Sequence, residues 1–391
     1  GKITGMAIPI QRIQRYVSQQ ARIEGWVRPE KLPEETGRHI AVVGAGPAGL
    51  ACTAQLLAQG HRVTVFDRRE HAGGLLRESI PSYRIAGSAL REEIKAVLEG
   101  YAKRLEWRMG QALGESFNLD SLFKEGFDAV FLGMGLSKGI PLSAEGRPKE
   151  GVEDALSFLC RMKTGANRQV PQRVAVLGGG NTAMDAAVVA SKAGARDVYL
   201  IYRRSFREMP AWPAERREAM DAGVHFLILT QPMGYVTEDG RLTGVRVTRT
   251  VLGEPDASGR RRPLVVRGSE HVIEAELAIE AIGQTAPVEL ASVLPGVRLG
   301  KDSLIETDPA TCETSRARVY AGGDIVNGGA TAAQAIAEGL RAAHAIDKAL
   351  GGGESSFEDN YKLPDAGPHR GRDGRNSTAI FNGLTTNPSH H

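Results

Sequence analysis

Two strand, glycine-rich turn and helix patterns stand about 130 residues apart in this chain, and both carry the chemistry of a pyrophosphate cradle. The first runs from His39-Ile40-Ala41-Val42-Val43 into Gly44-Ala45-Gly46-Pro47-Ala48-Gly49, then an apolar helix, then a second strand, Val63-Thr64-Val65-Phe66, closed by Asp67. The second runs from Arg173-Val174-Ala175-Val176-Leu177 into Gly178-Gly179-Gly180-Asn181-Thr182-Ala183, a helix, and a strand, Val198-Tyr199-Leu200-Ile201-Tyr202, closed by Arg203-Arg204. In each pattern the first glycine permits a tight turn, the second lets backbone approach phosphate, and the third lets helix pack close on strand. The helix N-terminus then aims unpaired N–H groups and a positive dipole end at the anion. Two such units predict two dinucleotides held face to face.

The residues that close the second strands differ. An acid at that place accepts hydrogen bonds from ribose hydroxyls, so Asp67 suits FAD or NAD and disfavours a 2′-phosphate. The second unit has no acid there; Arg203 and Arg204, with Arg207 one turn on, offer guanidinium forks that suit the 2′-phosphate of NADP. The competing reading of these arginines is a solvated or ion-paired surface.

At 391 residues, the chain is long enough for two or three domains with real cores, and 41% apolar content is ordinary for a globular protein. A net charge of +3 makes no case for nucleic acid or for a membrane surface as partner. No apolar run approaches the roughly 18 residues of a membrane span, and no signal peptide is visible. The cysteines, Cys52, Cys160 and Cys312, lie far apart without CxxC spacing. That excludes a redox-active dithiol and a four-cysteine iron–sulfur site within these residues, nominates no metal site, and fits a reducing, cytoplasmic compartment. Cys52 is expected to be a buried small hydrophobe. With Gly1 in place of a methionine, the expectation is a piece of a longer polypeptide; His390 and His391 are given no function.

Residues 1–36 hold an amphipathic helix, with Ile10, Ile13 and Val17 at helical spacing, and a Pro-bearing linker. It would dock on its own domain or lead in from a partner. Residues 37–140 carry the first nucleotide unit, ending in the strand Ala129-Val130-Phe131-Leu132 and the turn Gly133-Met134-Gly135. Residues 141–290 carry the second, and within them 243–249 and 261–267 read as two antiparallel strands. Residues 291–350 follow, with Val319-Tyr320-Ala321-Gly322-Gly323-Asp324 and a helix from Thr331 to about Leu350. Having no fingerprint of their own, they should complete the first domain, making the second an insertion. The predicted fold class is therefore α/β, with two Rossmann-like dinucleotide-binding domains. The tail, 351–391, has little periodicity.

The chain resembles the small, flavin-bearing subunit of bacterial glutamate synthase and its relatives, which include modules of dihydropyrimidine dehydrogenase and of electron-bifurcating ferredoxin:NADP oxidoreductases. The resemblance covers about residues 5–350. It rests on Gly25-Trp26, the first fingerprint, Gly73-Gly74-Leu75-Leu76 with Ile80-Pro81-Ser82-Tyr83-Arg84, Gly178-Gly179-Gly180-Asn181-Thr182-Ala183-Met184-Asp185, Tyr202-Arg203-Arg204-Ser205 with Glu208-Met209-Pro210-Ala211, Ala281-Ile282-Gly283-Gln284, and Ala321-Gly322-Gly323-Asp324. It implies a glutathione-reductase-like arrangement with FAD on the first domain and NAD(P)H on the second. Gly44, Gly46 and Gly49, with Pro47 and Ala48, would hold the FAD pyrophosphate, and Asp67 with Arg68 its adenosine side. Gly74, Leu75, Arg84 and Gly135 would line the flavin cleft. Gly323 and Asp324 would meet the ribitol or pyrophosphate. The helix opening at Ala330, Thr331 and Ala332 would aim N–H groups at flavin N1 and O2. Gly178, Gly180, Asn181, Thr182, Arg203, Arg204, Ala281 and Gly283 would hold NAD(P).

Ser79 stands where the family usually has glycine before Ile-Pro. The family's cysteine-rich iron–sulfur domain has no counterpart in the sequence, so its clusters are expected either upstream of Gly1 or on a separate subunit. Hydride transfer between nicotinamide C4 and flavin N5 needs stacking at about 3 to 3.5 Å more than it needs an acid or base, so no side chain is nominated as a proton donor. The reading is an FAD subunit exchanging electrons between NAD(P)(H) and a ferredoxin-like iron–sulfur subunit beside a larger catalytic subunit. The complex would be of glutamate synthase type, or of an aldehyde oxidoreductase type that reduces NAD(P)+. The alternatives are a standalone reductase of ferredoxin or a small acceptor, and a non-catalytic scaffold.

Overall fold

The computed structural model describes residues 10–24, 32–144, 146–165, 167–255, 259–287, 289–300 and 302–352; Gly25-Trp26 and the tail from 353 onward lie outside them. The chain divides into two compact units, Gly1–Glu30 with Tyr361–His391, and Lys31–Asn360. In the first, the described element is the helix Ile10–Ile23, whose Ile10, Ile13, Tyr16 and Val17 are exposed.

The second unit contains two five-stranded sheets of the same design. In the first, the strands stand in the order Val319–Ala321, Ala129–Leu132, His39–Val43, Arg62–Asp67, Leu105–Met109, all parallel. In the second they stand in the order Val152–Asp154, Leu277–Glu280, Arg173–Leu177, Asp197–Tyr202, His225–Ile228, again all parallel. The two fingerprint strands occupy the centres. Their continuous apolar runs, Ile40-Ala41-Val42 and Val174-Ala175-Val176-Leu177, are fully buried, as strands covered on both faces require. The last strand of the first sheet, Val319–Ala321, follows every strand of the second in the chain, so the second domain is inserted in the first.

Each sheet joins its nucleotide turn to the strand beside it through a glycine. Gly44 has φ +108°, and a Cβ there would stand 2.4 Å from the Gly133 carbonyl oxygen. Gly178 has φ +144°, with the Ala281 oxygen at 2.2 Å from the same hypothetical atom. Any side chain at either place would collide with the neighbouring turn.

Between the fourth and fifth strands of the second sheet by position in the chain lies an antiparallel layer. Its long strand, Arg241–Pro255, pairs with Thr230–Glu238 on one side and His271–Glu274 on the other. The predicted strand at 243–249 is thus the first half of a longer one. Its continuation through Thr250, Val251 and Leu252 is what pairs with Arg261–Val265, Thr250 lying opposite Val265. β-Branched residues carry the strand on until Gly253 and Pro255, and the result is a two-stranded ribbon beyond the sheet.

Candidate functional site

A cavity of about 1410 Å³ follows the carboxyl ends of the strands of both sheets, where open α/β sheets bind ligands. Single-ligand pockets usually hold roughly 300 to 1,000 Å³. Every residue expected to touch either nucleotide lines this one cavity, except Gly49 and Arg207. Gly49 serves the helix instead, since a Cβ on it would stand 1.8 Å from the Gly44 oxygen.

Both fingerprint helices open toward the cavity without a side-chain cap. Pro47–Ala58 starts at Gly46 and Asn181–Lys192 at Gly180, each glycine in extended backbone. The first-turn N–H groups are therefore left for an anion. The Asn181 carbonyl oxygen accepts from the Trp212 N–H at 3.1 Å, which leaves its NH2 group as a donor. Asp67 does more than its sequence position implies: one oxygen accepts from the Ala45 N–H at 2.7 Å and the other from the Arg69 N–H at 2.9 Å. Its carboxylate fixes the glycine turn.

The C-terminal helix, Ala332–Ala349, also begins on the cavity wall, with Thr331 Oγ1 accepting from the Gln334 N–H at 3.2 Å. Behind it, buried Glu338 accepts from the Gly323 N–H at 2.6 Å and from the Asn327 amide at 3.1 Å. It thereby holds the turn that presents Asp324, whose carboxyl is pushed up by burial. The sequence reading missed Glu338; the available signal was a lone glutamate on the apolar face of an Ala-rich helix. It also missed Glu280, which accepts a bidentate Arg147 at 2.7 and 2.8 Å and the Tyr235 hydroxyl at 2.5 Å at the cavity edge.

At the far end of the second sheet, Arg203 is exposed while Arg204 is buried, and both line the cavity. Arg207 is off the wall. In its place stands Arg260, contributed by the ribbon. The phenol of Tyr202 feels Arg204, Arg260 and Arg203 together, though burial still dominates and raises its pKa. Arg260 was out of reach of the sequence reading because the ribbon's register was.

Residues 38–339 match the model of the pyridine nucleotide-disulphide oxidoreductase family, and the chain belongs to that family. Among its relatives, it is 36% identical over 355 residues to the glutamate synthase [NADPH] small chain of Escherichia coli, an alignment covering 87% of this chain and 74% of that one. It is 40% identical to the NADP(+)-dependent formate dehydrogenase subunit beta of Moorella thermoacetica, covering 82% of this chain and 45% of the other. It is 31% identical to the NADPH-Fe(3+) oxidoreductase subunit beta of Geobacter sulfurreducens, covering 92% and 57%. The chain thus spans about half the length of the latter two.

Solved structures share the fold, two of them as follows. Mycobacterium tuberculosis FprA in complex with NADPH matches with a TM-score of 0.67 and 16% identity, over 80% of this chain and 85% of that one. The thioredoxin reductase of T. acidophilum matches with a TM-score of 0.58 and 21% identity, over 80% of this chain and 99% of that one. Cys52 and Cys312 are buried and Cys160 half-buried, all three free thiols, and burial pushes the Cys52 thiol well up. Among the described residues, no helix is long and apolar enough to cross a membrane.

Proposed function

We propose that this chain is the FAD-bearing subunit that carries electrons between NADPH and the iron–sulfur centres of a partner subunit within a larger redox complex. The observation that carries the reading is that both glycine-rich turns open on one cavity rather than two. The fit rests on the uncapped helix starts at Gly46 and Gly180, the open space around Gly135 and Gly180, where a Cβ would meet nothing within 4 Å, and the arginines at the second sheet. The relatives named as glutamate synthase, formate dehydrogenase and Fe(3+) oxidoreductase subunits support a partner, and the names of all three carry NADP+ or NADPH as coenzyme.

When bound, FAD supplies acceptance of a hydride and release of electrons singly. The protein's part is to hold and orient. Gly44, Gly46 and the first N–H groups of Pro47–Ala58 would hold the flavin nucleotide's pyrophosphate, with Gly74, Leu75 and Arg68 along its length. The N-terminus of Ala332–Ala349 would face the isoalloxazine with its positive dipole end. Gly180, Asn181 and Thr182 would hold the pyridine nucleotide's pyrophosphate, and Arg203, Arg204 and Arg260 its 2′-phosphate. No side chain needs to move a proton.

Purified chain mixed anaerobically with NADPH tests this. A yellow protein bleached by NADPH, and reoxidised by an iron–sulfur protein, supports it. A protein bleached by NADPH but oxidised only by dioxygen or small quinones would replace the partner reading with a standalone reductase.

A further inference from the structure

The Ile-Pro-Ser-Tyr-Arg segment at residues 80–84 belongs in sequence to the flavin side, yet its Tyr83 and Arg84 side chains engage the inserted domain. Arg84 Nε is ion-paired to Asp185 Oδ1 at 2.6 Å, its Nη1 donates to Glu215 Oε1 at 2.6 Å, and Nη2 lies 3.5 Å from Glu218 Oε2. The Tyr83 hydroxyl donates to Asp185 Oδ1 at 3.3 Å, and Lys192 Nζ stands 3.8 Å from the centre of the Tyr83 ring. Lys163 Nζ donates to the carbonyl oxygens of Leu76 at 3.0 Å and Ile80 at 2.5 Å. Three helices of the inserted domain, Ala155–Thr164, Asn181–Lys192 and Pro213–Asp221, therefore grip one short stretch of the other domain.

We propose that Arg84, held by Asp185 and Glu215, is a positioning residue that locks the angle between the two nucleotide folds and so sets the distance between their bound rings; the clause about rings rests on the function proposed above.

A planar guanidinium hydrogen-bonded to the Glu215 carboxylate and ion-paired at 2.6 Å with that of Asp185 accepts few relative orientations of the bodies that carry them. Such a cluster adds little net stability, because desolvating the charges offsets their attraction; what it supplies is geometry. Asp185 sits one turn into the helix whose start would hold the coenzyme's pyrophosphate, so the lock and the coenzyme act on the same rigid element. Displacing reacting atoms by about 1 Å costs on the order of 10²-fold in rate.

Arg84→Ala, Arg84→Lys and Asp185→Asn test the proposal, with the exposed Arg217→Ala as control. Flavin content, the Kd for NADPH, the rate of flavin bleaching in anaerobic stopped flow, and the distance between spin labels at Glu92→Cys and Arg246→Cys, in a Cys160→Ser background without added nucleotide, are measured. Arg84→Ala should bleach roughly 10- to 100-fold more slowly, with flavin content unchanged, Kd altered no more than about twofold, and a broadened or split label distance. Arg84→Lys should recover part of both. An unchanged rate and an unchanged distance distribution overturn the proposal. So does a loss of flavin or NADPH binding without a change in distance, which would make Arg84 a ligand contact. If wild-type protein is not bleached at all, the function proposed above fails, and the label distance alone decides the lock.

Discussion

The Nε of Arg204 donates to the main-chain oxygen of Arg261 at 2.7 Å, tying the end of the strand Asp197–Tyr202 to the ribbon Arg241–Pro255 and Arg261–Val265. A second tie runs the other way, from buried Thr250 Oγ1 to the Arg203 oxygen at 2.8 Å. The pair of arginines that a sequence reader finds at the end of a strand is thus aimed by a ribbon about 50 residues downstream, and the ribbon brings Arg260 with it.

From that follows a coenzyme prediction. Arg203→Ala and Arg260→Ala should each raise KM for NADPH about tenfold, the worth of a charge-assisted hydrogen bond of about 1.5 kcal/mol, and leave KM for NADH nearly unchanged. Arg262→Ala, exposed on the same ribbon and off the cavity wall, should change neither. Steady-state kinetics with both coenzymes decides the matter, and equal losses for the two would remove the 2′-phosphate assignment.

Asp185 gives a pH prediction. Burial raises its carboxyl to about 6, with Arg84 opposing and Glu215 assisting; Tyr83, Glu218 and Lys192 complete the charged and titratable surroundings. An acid whose folded pKa lies above its unfolded value of about 3.9 binds its proton more tightly when folded, so it costs the fold stability as pH rises through that window. Asp185→Asn should therefore melt a few degrees above wild type at pH 8, and the advantage should shrink below pH 5. A difference in Tm that does not vary with pH would contradict the assignment.

Asp67 gives a prediction that separates two roles. If its carboxylate fixes the turn through the Ala45 and Arg69 N–H groups, Asp67→Asn keeps an acceptor for one of them and Asp67→Ala for neither. Flavin content per chain should fall modestly in the first and severely in the second. Equal loss would point to the ribose alone.

Gly44→Ala should be far more damaging than a surface change. Its φ of +108° and the 2.4 Å approach to the Gly133 oxygen leave no room for a methyl group, and the backbone cannot yield without moving the next strand's turn. Loss of soluble protein, or a Tm lowered by several degrees with little bound flavin, is the expected outcome in a thermal melt. The equivalent Gly178→Ala should behave alike while sparing flavin.

Much of this architecture was legible because it is local. A strand, a glycine-rich turn, a helix and a closing residue lie within about 30 positions, and the helix capped by Thr331 announced itself by composition. The insertion was legible from Val319-Tyr320-Ala321, a strand without a fingerprint. What was hidden lies in pairings between distant residues. Arg84 reads as part of a flavin cleft until Asp185, 101 positions on, is placed against it. The ribbon's register depended on where a strand stops, and the sequence between 243 and 255 marks no earlier end. Glu338 and Glu280 are single charged residues in apolar surroundings whose partners are set only by the fold.

An anaerobic titration of the purified chain with NADPH, followed by flavin absorbance, tests the shared cavity most directly. One flavin per chain, bleached on mixing by one equivalent of NADPH and far more slowly by NADH, is the predicted result. A colourless protein, or a bound flavin that NADPH cannot bleach, would contradict the claim that the two glycine-rich turns serve one site.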